Sequence, residues 1–158
     1  MGLRAQALSV KPNDIGLPPG SYSEKPWGVM MEVGLEGRGA YILVVLADGT
    51  VSLYFSKGGG IIGLGPHAEV RAAGQAMLEA AAGLQSHASV TMSTPLPSAG
   101  SVNFYLLTAK GVLRYLAPEQ LLGAGSDPMS KLFYAGQNVI TQIRLVEGER
   151  GAKTGVPK

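Results

Sequence analysis

Three kinds of hydrophobic pattern divide the chain. Trp27, Val29, Met31 and Val33 alternate with their neighbours at the period of two that marks a strand. Residues 40–47 (AYILVVLA) are apolar at every position and rich in β-branched types, and residues 50–56 alternate again. Between them Asp48-Gly49 is a two-residue hairpin signal, because both positions tolerate a positive φ. Past Pro66 the period changes: Val70, Ala73, Met77, Ala81 and Leu84 recur at helical spacing, which predicts a helix to about Leu84.

The second half follows the same scheme. Residues 88–92, 102–109 and 112–116 read as strands, the last two about Lys110-Gly111, and residues 118–122 as a helical turn. Ser126-Asp127-Pro128 then opens a helix to about Leu145, with Met129, Leu132, Phe133, Gly136, Ile140 and Ile143 on one face. The order is βββα twice. Ala73-Gly74-Gln75 and Ala135-Gly136-Gln137 fall in corresponding places, so a pseudo-repeat is one explanation and chance matching in a Gly- and Ala-rich chain the other.

These elements predict one α+β domain over residues 27–146, a five- to six-stranded, mainly antiparallel sheet with two helices on one face. Residues 1–26, with four prolines among Gly, Ser and Asn, read as an irregular arm, and residues 147–158 as a flexible tail. From the second strand onward the order ββα-βββ-α resembles the profilin-like arrangement of roadblock/LC7 domains, which are small dimeric regulators. The resemblance lies in element order, and the chain departs from it by opening with an arm and a strand where that family has a helix.

A two-residue turn at Asp48-Gly49 pairs Leu46 with Val51, Val44 with Leu53 and Ile42 with Phe55, a face expected to lie under the helices. The opposite face then presents Tyr41, Leu43 and Val45 beside Thr50, Ser52 and Tyr54, too apolar to stand open to water. Something must cover it: the arm, a second subunit or a ligand. Tyr41, Leu43, Val45 and Tyr54 are accordingly the candidate interface residues.

Composition strengthens that expectation. Charged residues are 15% of the 158, against about 25% in ordinary soluble chains, and residues 27–146 hold only 14, about 12%. A surface so poor in charge favours self-association. The formal charge is +2 with basic residues scattered singly, which argues against nucleic acid or an anionic membrane as partner. With no cysteine, neither a disulfide, a thiolate nucleophile nor a Cys-ligated metal is available. No apolar run reaches the roughly 18 residues of a membrane-spanning helix, and residues 1–10 lack a signal-peptide apolar region, so a cytoplasmic location is expected.

Candidate chemistry is sparse. Gly58, Gly60 and Gly63 satisfy G-x-G-x-x-G, but the strand before them closes a hairpin and Pro66 delays the helix, so a dinucleotide site is not expected. A weaker anion site remains conceivable from Lys57, the amides of Gly58, Gly59, Gly60 and Gly63, and His67 at the helix start; the alternative is a plain connector. His67 and His87 sit at opposite ends of one helix, about 30 Å apart at 1.5 Å per residue, and cannot share a metal. No catalytic motif is present and no cofactor is implied. The expected function is a non-enzymatic protein-interaction or scaffolding domain, partnered by itself or another protein; the alternative is a small-molecule or anion binder using residues 57–67.

Overall fold

The computed structural model describes residues 2–18, 20–37, 39–62 and 67–154. It is an α+β fold built on one antiparallel sheet. The strands are β1 (Gly28–Leu35), β2 (Gly39–Leu46), β3 (Val51–Phe55), β4 (Gly60–Ile62), β5 (Ser89–Val90), β6 (Ser101–Thr108) and β7 (Gly111–Pro118), in the order β4-β3-β2-β1-β6-β7-β5. Two of these are short edge strands; β4 falls in the glycine-rich run and was not expected as a strand. The helices α1 (Leu3–Ser9), α2 (Ala68–Leu84), α3 (Glu119–Gly123) and α4 (Ser130–Thr154) complete the described chain.

Helices α2 and α4 lie side by side on one face, over Val29, Met31, Val33, Leu43, Val45, Val51, Phe104 and Leu106. Each brings a glycine to the sheet, where close approach leaves little room for a side chain. A Cβ on Gly74 would stand 3.1 Å from Val45 Cγ1, and one on Gly136 would stand 2.6 Å from Met31 Sδ and 3.0 Å from Met77 Cε. Helix-to-sheet packing therefore accounts for Gly74, and Gly136 meets both the sheet and α2. The same packing need explains why a glycine recurs on the sheet-facing side of the two helices. The sheet order gives the pseudo-repeat no support: β1, β2 and β3 run as consecutive neighbours, whereas β5 pairs with β7 at the opposite edge. An element-order likeness that starts at β2 also leaves out β1, the middle strand.

The hairpin register differs from expectation. Val45 pairs with Val51, and the Leu46 amide donates to the Thr50 carbonyl at 2.9 Å, so the loop is Ala47-Asp48-Gly49, three residues rather than two. Asp48 Oδ1 holds the Thr50 amide at 2.9 Å, and Gly49 takes φ +97°, as a three-residue loop requires. A one-residue shift moves every side chain of one strand to the other face relative to its partner. Leu43 and Val45, fully buried, and half-buried Tyr41 consequently lie under the helices with Val51 and Leu53, while Ile42, Val44 and Leu46 share the outer face with Tyr54.

The arm covers that outer face. Ala7, Leu8, Val10, Ile15, Leu17 and Tyr22 pack on a second core formed with Trp27, Met30, Ile42, Val44, Leu46, Tyr54, Tyr105 and Leu107. Part of it is regular: α1, then a 3-10 turn over Pro12–Ile15 that ends at Gly16 with φ +71°. A seven-residue helix without a side-chain N-cap is marginal alone, so α1 owes its structure to docking. At the other terminus α4 continues past Glu147 to Thr154, with no proline to stop it although Gly148 and Gly151 are poor helix formers.

Candidate functional site

The outer face carries a polar constellation at its centre. Glu32 on β1, Asn103 on β6 and Tyr105 on β6 are all wholly buried. Glu32 and Asn103 face each other across the β1–β6 ladder, and Glu32 faces Ile42, which in turn faces Tyr54 on β3. A charge buried on a middle strand must be compensated. The compensation comes from the arm, 28 residues away in sequence.

Arg4 of α1 donates from Nε to Glu32 Oε2 at 2.6 Å and from Nη2 to Glu32 Oε1 at 3.0 Å, a two-point fit of guanidinium to carboxylate. Nη2 also reaches the Thr94 carbonyl at 2.7 Å and the Pro95 carbonyl at 3.2 Å, and the guanidinium carbon lies 5.7 Å from the Tyr105 ring centre. Burial opposes the charge on Arg4, but the hydrogen bond and charge of Glu32 outweigh it and hold the guanidinium above its ordinary value.

The carbonyls are fixed in turn. Residues 91–100 cross the outer face between β5 and β6, and Pro95 O accepts from Tyr105 OH at 2.7 Å and from Asn103 Nδ2 at 2.9 Å. Arg114 Nε donates to Asn103 Oδ1 at 3.2 Å, which sets the amide's orientation. Burial raises the Tyr105 phenol, so it stays a donor at neutral pH. Carboxylate, carbonyls and ring converge on one guanidinium.

The arm has a second fixed point. Trp27, the single tryptophan, donates Nε1–H to the Val10 carbonyl at 2.9 Å and is 5% exposed. Its emission therefore reports on whether the arm is docked.

Among the described residues Tyr54 is the exception among the buried polar groups. It is 6% exposed and its hydroxyl has no hydrogen-bond partner. Burial first, then the charge of Glu32, pushes its phenol up to about 12, from an ordinary value near 10. A phenol raised on folding contributes stability that is full below about pH 10 and is lost as the pH climbs toward about 12, because the unfolded chain gives up its proton first. Tyr54→Phe is expected to raise stability at pH 7 by about 1 kcal/mol, by removing an unpaired buried hydroxyl. Urea melts of both proteins at pH 7 and between pH 10 and 12 check this: the variant should lose less on the alkaline side.

The described residues singled out for an anion site lie in a turn and at a helix start. The glycine run turns β3 into β4: Phe55 N donates to Gly59 O at 2.9 Å, Gly58 N donates to Phe55 O at 3.0 Å, and Gly58 and Gly59 take φ of +110° and +86°. Gly60 pairs with Tyr54 as the first residue of β4. Lys57 Nζ reaches the Gly37 carbonyl at 3.4 Å, and His67 caps α2 through its backbone, its carbonyl accepting from Arg71 N at 2.9 Å. Gly63 lies outside the described residues. Of the four candidate interface residues, Tyr41, Leu43 and Val45 sit beneath the helices, so only Tyr54 belongs to the outer face.

Sequence reasoning did not single out Glu32, Arg4 or Asn103 as site residues. The available signal was a lone carboxylate within the otherwise apolar run of residues 27–35. Among the described residues no group of His, Asp or Glu is placed to hold a metal, and no helix is long and apolar enough to cross a membrane. Compared with protein-family models, with curated proteins and with solved structures, the chain matches none.

Proposed function

We propose that the protein is a non-enzymatic protein-interaction domain whose receptor surface is the outer sheet face, with the arm as its resident occupant. The observation that carries this is the wholly buried Glu32, whose carboxylate is held by Arg4 from a short docked helix. The face combines an apolar floor with one buried carboxylate and two backbone carbonyls, the recognition chemistry of a helix-in-groove site anchored by arginine. A protein segment that presents an arginine on a short amphipathic helix competes with residues 3–10 for the same contacts. A second copy of this chain carries such a segment, and exchange of arms between two copies is the route by which the domain would self-associate.

The test uses the full chain and a labelled peptide of residues 1–11. In the wild-type protein the tethered arm competes at a high effective concentration, so the peptide binds weakly. Arg4→Ala loosens the arm, and the peptide should then bind at least about tenfold tighter, a difference of about 1.4 kcal/mol. Adding Glu32→Gln to that chain should abolish the gain. No binding to the Arg4→Ala chain, or binding indifferent to Glu32, overturns the proposal. Light scattering of the same proteins reports whether loosening the arm changes the mass.

A further inference from the structure

Two cavities adjoin where the arm meets the β6–β7 turn. One, of about 300 Å³, is apolar: Pro12, Pro18, Tyr22 and Trp27 line it together with Ser23 and Ala109. The other, of about 350 Å³, shares Ser23 and Ala109 as walls and is bordered by Glu24, Lys25, Gln85, Ser86 and Lys110. Fixed chain frames both. Gln85 Nε2, just past α2, donates to the Glu24 carbonyl at 3.0 Å and so pins the segment that leads into β1. Thr108 Oγ1 donates to the Gly111 carbonyl at 2.8 Å and accepts from the Lys110 amide at 3.2 Å, which sets the turn that carries Ala109 and Lys110.

The charges around the second cavity are not spent on one another. Lys25 Nζ lies 4.9 Å from the Tyr22 ring centre, so its ammonium group stands at the border between the apolar and the polar space. Among the described residues neither Lys25 nor Lys110 is paired with a carboxylate, that of Glu24 included. Two ammonium groups against one carboxylate leave this rim net positive.

We infer that the joined cavities bind a small amphipathic carboxylate, its alkyl or aryl body against Tyr22, Trp27 and the two prolines and its head at Lys25 and Lys110. Small-molecule sites of about 300–1,000 Å³ share this build, an apolar lining with a few polar groups converging at one end. The body contributes affinity by leaving water, and the lysines fix which end goes where. A single negative charge suits the rim better than a double one, because Glu24 repels the second. None of the groups that hold the Arg4 guanidinium lines either cavity, so this site stands or falls apart from the receptor-face proposal.

Isothermal titration calorimetry of the full chain with octanoate and 2-naphthoate, each beside its alcohol (1-octanol, 2-naphthylmethanol), tests the inference. Exposed ion pairs are worth up to about fivefold each, so at least one carboxylate should bind, one per chain and about tenfold tighter than its alcohol. Lys110→Gln should weaken that carboxylate about threefold to fivefold. Ala109→Leu, which enlarges a shared wall and leaves every charge in place, should weaken it about tenfold. Glu24→Gln should bind at least as tightly as wild type. Lys110 and Ala109 are exposed, and melting curves of both variants verify that they fold. The inference is overturned if neither carboxylate binds, if alcohol and carboxylate bind alike, or if either Lys110→Gln or Ala109→Leu leaves the affinity unchanged. Weaker binding to Glu24→Gln overturns it too, since the rim would then be selecting a positive charge.

Discussion

Arg4→Ala is expected to cost about 3 kcal/mol of stability and to shift Trp27 emission to the red. Removing one partner of a buried ion pair typically costs about 3–5 kcal/mol, because the remaining charge is left dry and uncompensated. Here the chain has an escape. The arm is terminal, so it can lift away and let water reach Glu32, and the loss is capped at the free energy of arm docking. When α1 leaves, Trp27 loses both its cover and the Val10 carbonyl that accepts from Nε1. Thermal or urea melts give the stability change, and emission before the main transition shows whether the arm goes first. Replacing both partners separates charge from packing: Arg4→Met with Glu32→Met should recover most of the loss, since an apolar pair of similar volume no longer needs compensation. A single mutant that melts like wild type, with unshifted emission, would mean that the pair contributes neither anchoring nor stability.

How far the sequence carries this picture depends on which patterns are local. Strand and helix identities followed from periodicity, and the class and the two helices on one face followed from them. The faces of β2 did not. Residues 40–47 are apolar throughout, so inside and outside look alike, and only the loop length decides; Asp48 capturing the Thr50 amide turned a two-residue loop into three. The arm was illegible for a different reason. Four prolines between residues 12 and 26 read as a chain that cannot form long regular elements, and a seven-residue helix ahead of them leaves no periodic signature of its own. Its one ion pair among the described residues is long-range, and neither half of that pair announces the other. Glu32 stood out as a charge within an apolar strand, yet its meaning appears only when Arg4, Thr94 and Pro95 are brought around it. The arm was one of the covers expected, but the face it lies on carries Ile42, Val44 and Leu46 rather than Tyr41, Leu43 and Val45.

That coverage makes Gly34→Ala the other large effect. Gly34 follows Glu32 by two on β1 and so points to the same outer face, where residues 91–100 cross over it. A Cβ there would collide with the Ser98 carbonyl oxygen and carbon, and would stand 3.0 Å from Ala99 N. These are backbone atoms, so no rotamer change relieves the clash. Overpacking commonly costs about 1–3 kcal/mol, and with a backbone as the obstacle about 3 kcal/mol is expected, although Gly34 has an ordinary φ and alanine itself suits a strand as well as glycine does. The more informative consequence is remote. To admit the methyl group the 91–100 segment must rise, carrying the Pro95 carbonyl away from Tyr105, Asn103 and Arg4 together. Gly34→Ala should therefore weaken arm docking without touching the arm, and Trp27 emission should shift as it does in Arg4→Ala. If the variant is destabilised but its emission before melting is that of wild type, then the segment can move without disturbing the guanidinium, and Glu32 alone holds the arm.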